Sequence, residues 1–290
     1  MSSIQVQLIT YQNDKEAVFA AIKGYLLAAQ HGGHEIVFKI GDASPKRLFE
    51  DDEIASFAKE IDRKILYSFF DCNTGFGEGH NRLSRGCQSD YLVITNPDVL
   101  VTACFFDRML DLFDQDVGIV EGRQTPIEHP KDYDANTFET DWASGACMMI
   151  PSALFTRLGG FDSATFWMYC EDVDLSWRVK AAGYKTLYQP NAPVYHPKRL
   201  SREARWVPTE TERRLSAEVA LLMAYKWGNK EELTRLLSLY SDSQDPFHRE
   251  ALRSFREKEK LGKLPEVINC NGFHPPFQSD GTYSAHRFLL

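Results

Sequence analysis

Residues Ser144 to His196 read SGACMMIPSALFTRLGGFDSATFWMYCEDVDLSWRVKAAGYKTLYQPNAPVYH. Three carboxylates fall within four positions, Glu171, Asp172 and Asp174, and Trp167, Tyr169 and Trp177 surround them. Like charges this close repel and raise one another's pKa unless water, a cation or a proton relieves them. Flat aromatic rings nearby lower the local dielectric and suit the face of a sugar ring. A second reading stays open, because Asp and Glu also favour the first turn of a solvated helix, where the backbone dipole stabilises them. Within the same block Gly159-Gly160 reads as a helix stop after Leu154 and Leu158. Phe161 and Phe166 read as core, and Ala192 to Tyr195 as a strand that delivers His196 at its end.

Around this block, 290 residues allow one large domain or a domain with an appendage. A hydrophobic content of 43% is ample for a core. The formal net charge of −8 argues against a nucleic-acid binder, which needs a basic face to neutralise phosphates. Six cysteines are scattered without Cys-x-x-Cys spacing, which points to reduced cytosolic thiols and to neither zinc nor a disulfide framework. The opening MSSIQVQLITYQ has no basic region before a long apolar run, so it reads as a strand and not a signal peptide. No apolar stretch approaches the roughly 20 residues of a membrane span. The expectation is a cytoplasmic protein, soluble or peripheral at the inner face of a membrane.

From the beginning, Ile4 to Thr10 reads as a buried strand. Asn13 and Glu16 form a capping-box signal for a helix with Val18, Ile22, Tyr25 and Leu26 on one face, stopped by Gly32-Gly33. Glu35 to Ile40 is a second strand, ending in Gly41-Asp42-Ala43-Ser44. Helical spacing returns at Ile54, Phe57 and Ile61, and Ile65 to Phe70 is a third strand. This alternation predicts a parallel sheet with helices on both faces, whose ligands bind beyond the carboxyl ends of the strands. After the third strand, Asn73 to Asn81 carries glycines at alternate positions, a pattern that suits close backbone approach, often to a phosphate. Its spacing is not that of a dinucleotide fingerprint, and the first turn, Tyr11-Gln12-Asn13, has no glycine. The strand Tyr91 to Thr95 then runs into Asn96-Pro97-Asp98. That tripeptide reads either as a fixed carboxylate for a divalent cation or as a type I turn.

Taken together, these stretches resemble the family two glycosyltransferases of GT-A fold, most closely the rhamnosyltransferase-like branch. The likeness lies in Thr10-Tyr11-Gln12, Gly41 to Ser44, Asn73 to Asn81 and Asn96-Pro97-Asp98. It continues in Trp142, Ser144-Gly145-Ala146, Gly159 to Asp162, Tyr169, Glu171 to Asp174, Trp177-Arg178 and Tyr195-His196. The resemblance implies an α/β fold with a Rossmann-like, mostly parallel sheet over residues 1–200. It implies a nucleoside-diphosphate sugar donor of dTDP or UDP type, a divalent cation (Mn²⁺ or Mg²⁺) and inversion at the anomeric carbon. By the same resemblance Asp172 is the catalytic base, and Asp98 with His196 holds the cation. Thr10, Tyr11, Gln12, Asp42, Asn73, Gly75, Phe76, Gly77, Asn81 and Asn96 would line the donor. Trp142, Gly145, Ala146 and Glu171 would face a glycan or polyprenyl-linked glycan acceptor. Trp142 and His196 each keep a plain structural alternative, as a packed ring and a strand-end histidine. Two positions depart from the family: Gly41 stands where a base-binding Asp is usual, leaving Asp42 to substitute, and Gln12 replaces Asn.

Residues 201–290 read as a helical appendage and tail. Pro208-Thr209-x-x-Glu212 opens one helix, Asn229-x-x-Glu232 a second and Asp245-Pro246 a third, while His274 onward has no period. Lys198, Arg199, Arg202, Arg205, Trp206, Arg213 and Arg214 form either a solvated helix face or a contact for an anionic membrane surface. A homo-oligomer stays open. Two other classes compete with the transferase. A nucleotidyltransferase needs a glycine-rich, basic loop after the first strand, which Tyr11 to Lys15 does not supply. A carbohydrate-binding protein on a decayed transferase fold is opposed by the intact Asp98, Asp172 and His196.

Overall fold

The computed structural model describes residues 2–129, 131–197, 207–269 and 272–277. The chain begins with β1 (Ser3–Thr10), α1 (Lys15–Gly32), β2 (Glu35–Asp42), α2 (Asp51–Glu60) and β3 (Ile65–Phe69). Then follow α3 (Gly75–Ser84), β4 (Tyr91–Thr95), β5 (Leu100–Val101), α4 (Phe105–Leu110) and β6 (Val117–Thr125). The strands β1, β2, β3 and β4 pair in parallel, with β1 between β2 and β4. Residues 4 to 8 of β1 are all buried, glutamines included, as expected for a parallel strand covered on both faces. Val18, Ile22 and Tyr25 of α1 are fully buried against that sheet. The cap of α1 differs from the Asn13–Glu16 expectation. Asp14 is the N-cap, accepting from Ala17 N at 2.9 Å, while Asn13 Oδ1 accepts from Tyr11 N at 2.8 Å. Either residue type serves at a cap, so spacing alone did not choose between neighbours.

The second half adds β7 (Cys147–Pro151), α5 (Ser152–Arg157), α6 (Glu171–Ala181) and β8 (Lys185–Tyr195). Among the described residues the sheet has eight strands in the order β3-β2-β1-β4-β7-β6-β8-β5. β7 runs antiparallel between β4 and β6, and β8 pairs in parallel with β6. The sheet is therefore mixed, and the simple repeat of the first half does not continue through it. β4 and β8 both end on one edge, so the loop after β4 and His196 after β8 arrive together.

Beyond the sheet, α7 (Glu210–Lys226), α8 (Lys230–Asp242) and α9 (Pro246–Lys260) follow the predicted caps Thr209, Asn229 and Asp245. Their apolar faces share one cluster with Phe166, Val173 and Trp177, so α6 is packed between the sheet and these helices. Phe273 and Phe277 extend that cluster over Trp227 and Trp177. No helix among the described residues is long and apolar enough to cross a membrane. The five described cysteines are free thiols. Residues 198–206 of the basic run lie outside the described residues. Arg213 and Arg214, which complete it, pair with Asp245 at 3.1 Å and Glu250 at 3.5 Å.

Candidate functional site

The loop after β4 is tied to the loop before β7. Asn96 N donates to Ala146 O at 3.0 Å, and Thr95 Oγ1 donates to the same carbonyl at 3.1 Å. This holds Asn96-Pro97-Asp98 at the sheet edge where β8 delivers His196. Asp98 Oδ1 lies 4.0 Å from His196 Nε2, and Asn96 Nδ2 lies 3.1 Å from the same nitrogen. Burial pushes the Asp98 carboxyl above its ordinary pKa. Among the described residues no third His, Cys, Asp or Glu joins the pair. A divalent cation shared with substrate phosphates is usually held by only one or two protein groups, so a carboxylate and an imidazole fit such an ion.

The neighbouring Gly145 N donates to Asp172 Oδ2 at 2.8 Å, so two consecutive residues tie the β4 loop to the acidic helix. Asp172 is half-buried in the first turn of α6, and its Oδ1 accepts from Val173 N at 2.8 Å. Tyr169 and Cys170 enter the helix with φ of 72° and 64°. Two adjacent left-handed non-glycine residues are strained, and such strain clusters at functional sites. The three crowded carboxylates meet different fates. Asp174 is fully buried, with Arg178 Nε at 2.8 Å, Lys226 Nζ at 2.6 Å and Trp227 Nε1 at 3.1 Å. Glu171 is buried under α3, its Cγ close to Gly77. Asp172 alone keeps solvent access. Arg178 and Lys226 relieve the repulsion at Asp174, and Asp172 is the least buried of the three.

Several expected donor contacts are occupied by the protein itself. Asp42 is fully buried. Its Oδ1 accepts from Thr10 Oγ1 at 3.2 Å and Ser44 N at 3.0 Å, and its Oδ2 from Leu48 N at 2.6 Å and Tyr67 OH at 2.5 Å. Burial alone would raise its pKa, but bonds from Ser44, Tyr67 and Leu48 outweigh it and hold the carboxyl below its ordinary range. Asp42, the residue expected to face the nucleobase, therefore braces the turn with both carboxylate oxygens. At Gly41 a Cβ would meet the Phe70 ring at 2.6 Å and Ile9 Cδ1 at 2.8 Å, so an aromatic ring fills the place of the usual carboxylate. Asn81 is likewise a clamp, donating to Phe161 O at 2.8 Å and accepting from Phe161 N at 2.9 Å. The glycines approach protein: a Cβ at Gly77 would meet Phe161 Cβ at 3.0 Å, and one at Gly75 the Trp167 Nε1 at 2.9 Å. Phe76 packs against Gly145 and stacks edgewise on His80 at 4.4 Å.

Other positions remain at the rim. Tyr11 is 48% exposed, Gln12 has φ 56° with its N–H on Ser44 Oγ at 2.8 Å, and Asn73 Oδ1 accepts from Gly75 N at 3.1 Å. Trp142, expected to stack on an acceptor sugar, is 4% exposed and lies in the core with Lys131 Nζ 4.3 Å over its ring. Trp167, in the aromatic run before α6, is exposed, 40% accessible and set against Gly75. Its place in the aromatic run before Glu171 was visible in sequence, but exposure is a property of packing.

No family model matches the chain. Over 225 aligned residues it is 25% identical to rhamnosyltransferase WbbL of Escherichia coli (strain K12), covering 59% of this chain and 82% of that protein. Over 57 residues it is 46% identical to the N-acetylglucosaminyl-diphospho-decaprenol L-rhamnosyltransferase of Mycobacterium tuberculosis (strain ATCC 25618 / H37Rv), covering 20% of this chain and 18% of that one. Among solved structures, GalNAc-T7 with UDP, GalNAc and Mn²⁺ superposes with a TM-score of 0.61 at 11% identity. That match covers 91% of this chain, which spans 56% of its counterpart, and it speaks for the fold alone. In fold the chain is similar to glycosyltransferases of GT-A type, and in sequence it is similar to the same class of proteins. Within that class the sequence is similar to the rhamnosyltransferase-like branch.

Proposed function

We propose that this chain is an inverting glycosyltransferase that moves a sugar, rhamnose as first candidate, from a deoxythymidine or uridine diphosphate donor to a glycan or polyprenyl-linked glycan. The observation that carries the reading is Asp172, the one half-exposed carboxylate of the acidic triplet, held by Gly145 one residue from the carbonyl that fixes the Asn96–Asp98 turn. In the reaction the acceptor oxygen bonds to the anomeric carbon while the bond from that carbon to the diphosphate oxygen breaks on the opposite face. Asp172 takes the acceptor proton on a carboxylate oxygen, and two backbone N–H groups keep the carboxylate aimed. A divalent cation held by Asp98 and His196 would supply positive charge against the departing diphosphate. Tyr11, Gln12, Asn73 and the N-terminus of α3 remain as the donor-facing groups.

The printed name of the mycobacterial relative includes a diphospho-decaprenol substrate, which supports a lipid-linked acceptor. Such an acceptor would give the basic run after His196 a partner in anionic headgroups. The test is a panel of dTDP-, UDP- and GDP-sugars, with nucleotide release measured under Mn²⁺, Mg²⁺ or chelator. Release from one donor that is abolished by chelator is the expected result. Equal release with chelator would remove the cation from the reading, and no release from any donor, with a lipid-linked glycan present, would count against transfer.

A further inference from the structure

Behind His196 runs a line of buried polar side chains that sugar transfer does not itself demand. His196 Nδ1 lies 3.1 Å from Gln124 Oε1, and Gln124 Nε2 lies 3.3 Å from Glu121 Oε1. Glu121 Oε2 is held by the Lys131 ammonium, whose Nζ also donates to Trp142 O at 2.9 Å. Glu121 and Gln124 are 1% and 2% exposed. The direction of every bond follows from one end of the line. An ammonium only donates, so Glu121 accepts. A carboxylate only accepts, so Gln124 turns its NH₂ toward Glu121 and its carbonyl toward His196. A carbonyl only accepts, so the His196 proton sits on Nδ1. The opposite side of the ring agrees, because the Asn96 amide donor lies 3.1 Å from Nε2.

We propose that Gln124 is a positioning residue that fixes His196 in the Nδ1-protonated tautomer and so presents the Nε2 lone pair beside Asp98, with Glu121 and Lys131 locking the Gln124 amide. Which ring nitrogen can bind a cation is set by the bond the other one makes. The inference rests on the reading of Asp98 and His196 as cation ligands. It also accounts for a buried Glu–Lys pair, which by itself contributes little net stability.

The first measurement uses the unaltered full chain without metal. Long-range ¹H–¹⁵N correlation of the His196 ring, identified by its loss in His196→Asn, should show protonated Nδ1 and bare Nε2. A protonated Nε2 with a bare Nδ1 overturns the proposal. The second titrates Mn²⁺, followed by electron paramagnetic resonance of the free ion, in the presence of dTDP or UDP. Gln124→Met should weaken Mn²⁺ binding ~10–100-fold and mix the tautomers, as loss of an outer partner of a metal-bound histidine does. Glu121→Gln keeps an acceptor for the Gln124 amide and should retain both the tautomer and most of the affinity. If His196→Asn weakens Mn²⁺ binding while Gln124→Met leaves it unchanged, the positioning role is lost and the cation reading stands. If His196→Asn itself leaves Mn²⁺ binding unchanged, the cation reading of His196 falls, and the proposal with it.

Discussion

Asp172, Asp174 and Asp42 are three carboxylates that only their surroundings separate. Asp172→Asn keeps the shape and its bond from Gly145 but cannot take a proton. It should lower kcat by ~10²-fold or more while leaving nucleotide affinity nearly intact, measured by steady-state kinetics and calorimetry with the same donor. Near-normal turnover with the true acceptor would move the base elsewhere. Asp42→Ala should act on stability instead, because it strands Leu48 N–H and Tyr67 OH, each a loss of about 1–3 kcal/mol in denaturant unfolding. Its folded pKa lies below the unfolded value. Its contribution is therefore full above about pH 4 and is lost as pH falls through the folded pKa. Replacing it should flatten the acid limb of the stability curve in that window. The sequence placed Asp42 at a strand end near ligand but could not reveal its donors, which come from residues 10, 44, 48 and 67. Asp172 could be singled out from sequence because its motif is local, and its role as base is the expectation that the Asp172→Asn measurement tests.

The glycine-rich α3 shows where a correct pattern led to an incomplete cause. Alternate glycines do signal close approach, and the approach is to Phe161 and Trp167. Both partners lie some ninety residues downstream, beyond the reach of any local pattern. Gly77→Ala should therefore destabilise the fold by roughly 1–3 kcal/mol through overpacking against Phe161, with the donor KM of the folded enzyme little changed. A selective rise in donor KM without loss of stability would show that Gly77 itself contacts the donor. The same helix buries His80 completely, and burial pushes its imidazole down to about 3. The unfolded chain takes up a proton near pH 6.5, whereas the folded one does so only near the depressed value. Stability should fall as pH drops across that window, by up to about 1.4 kcal/mol per unit. Melting followed from pH 7 to pH 5 in the unaltered protein and in His80→Gln checks this, since the variant should lose part of the slope.

In the whole molecule, the alternation of strands and helices up to β4 was readable from period and caps, whereas the antiparallel insertion of β7 was not. Its core CMMI is a short apolar run that period alone cannot tell from helix. The C-terminal helices were foreseen from their caps, but their attachment was not, because it joins residues far apart in sequence through an apolar cluster and one lysine between distant carboxylates. Lys226 Nζ lies 2.7 Å from Asp162 and 2.6 Å from Asp174 and is 5.2 Å over the Phe166 ring, with its side chain 6% exposed. This ammonium joins α7 to the loop before α6 and to α6 itself, two residues from the proposed base. Lys226→Met removes a partner shared by both aspartates. Breaking a buried pair from one side is typically a loss of about 3–5 kcal/mol, because the remaining charge stays buried. Asp174 retains Arg178, and Asp162 is partly exposed, so the lower end of that range is expected. Adding Asp162→Asn should recover part of the loss, and the double-mutant cycle then gives a coupling of at least about 0.5 kcal/mol. Purely additive losses would mean that the lysine holds the helices by packing its stem. Unchanged unfolding in Lys226→Met would show that the apolar cluster over Trp177 secures the C-terminal helices without help from charge.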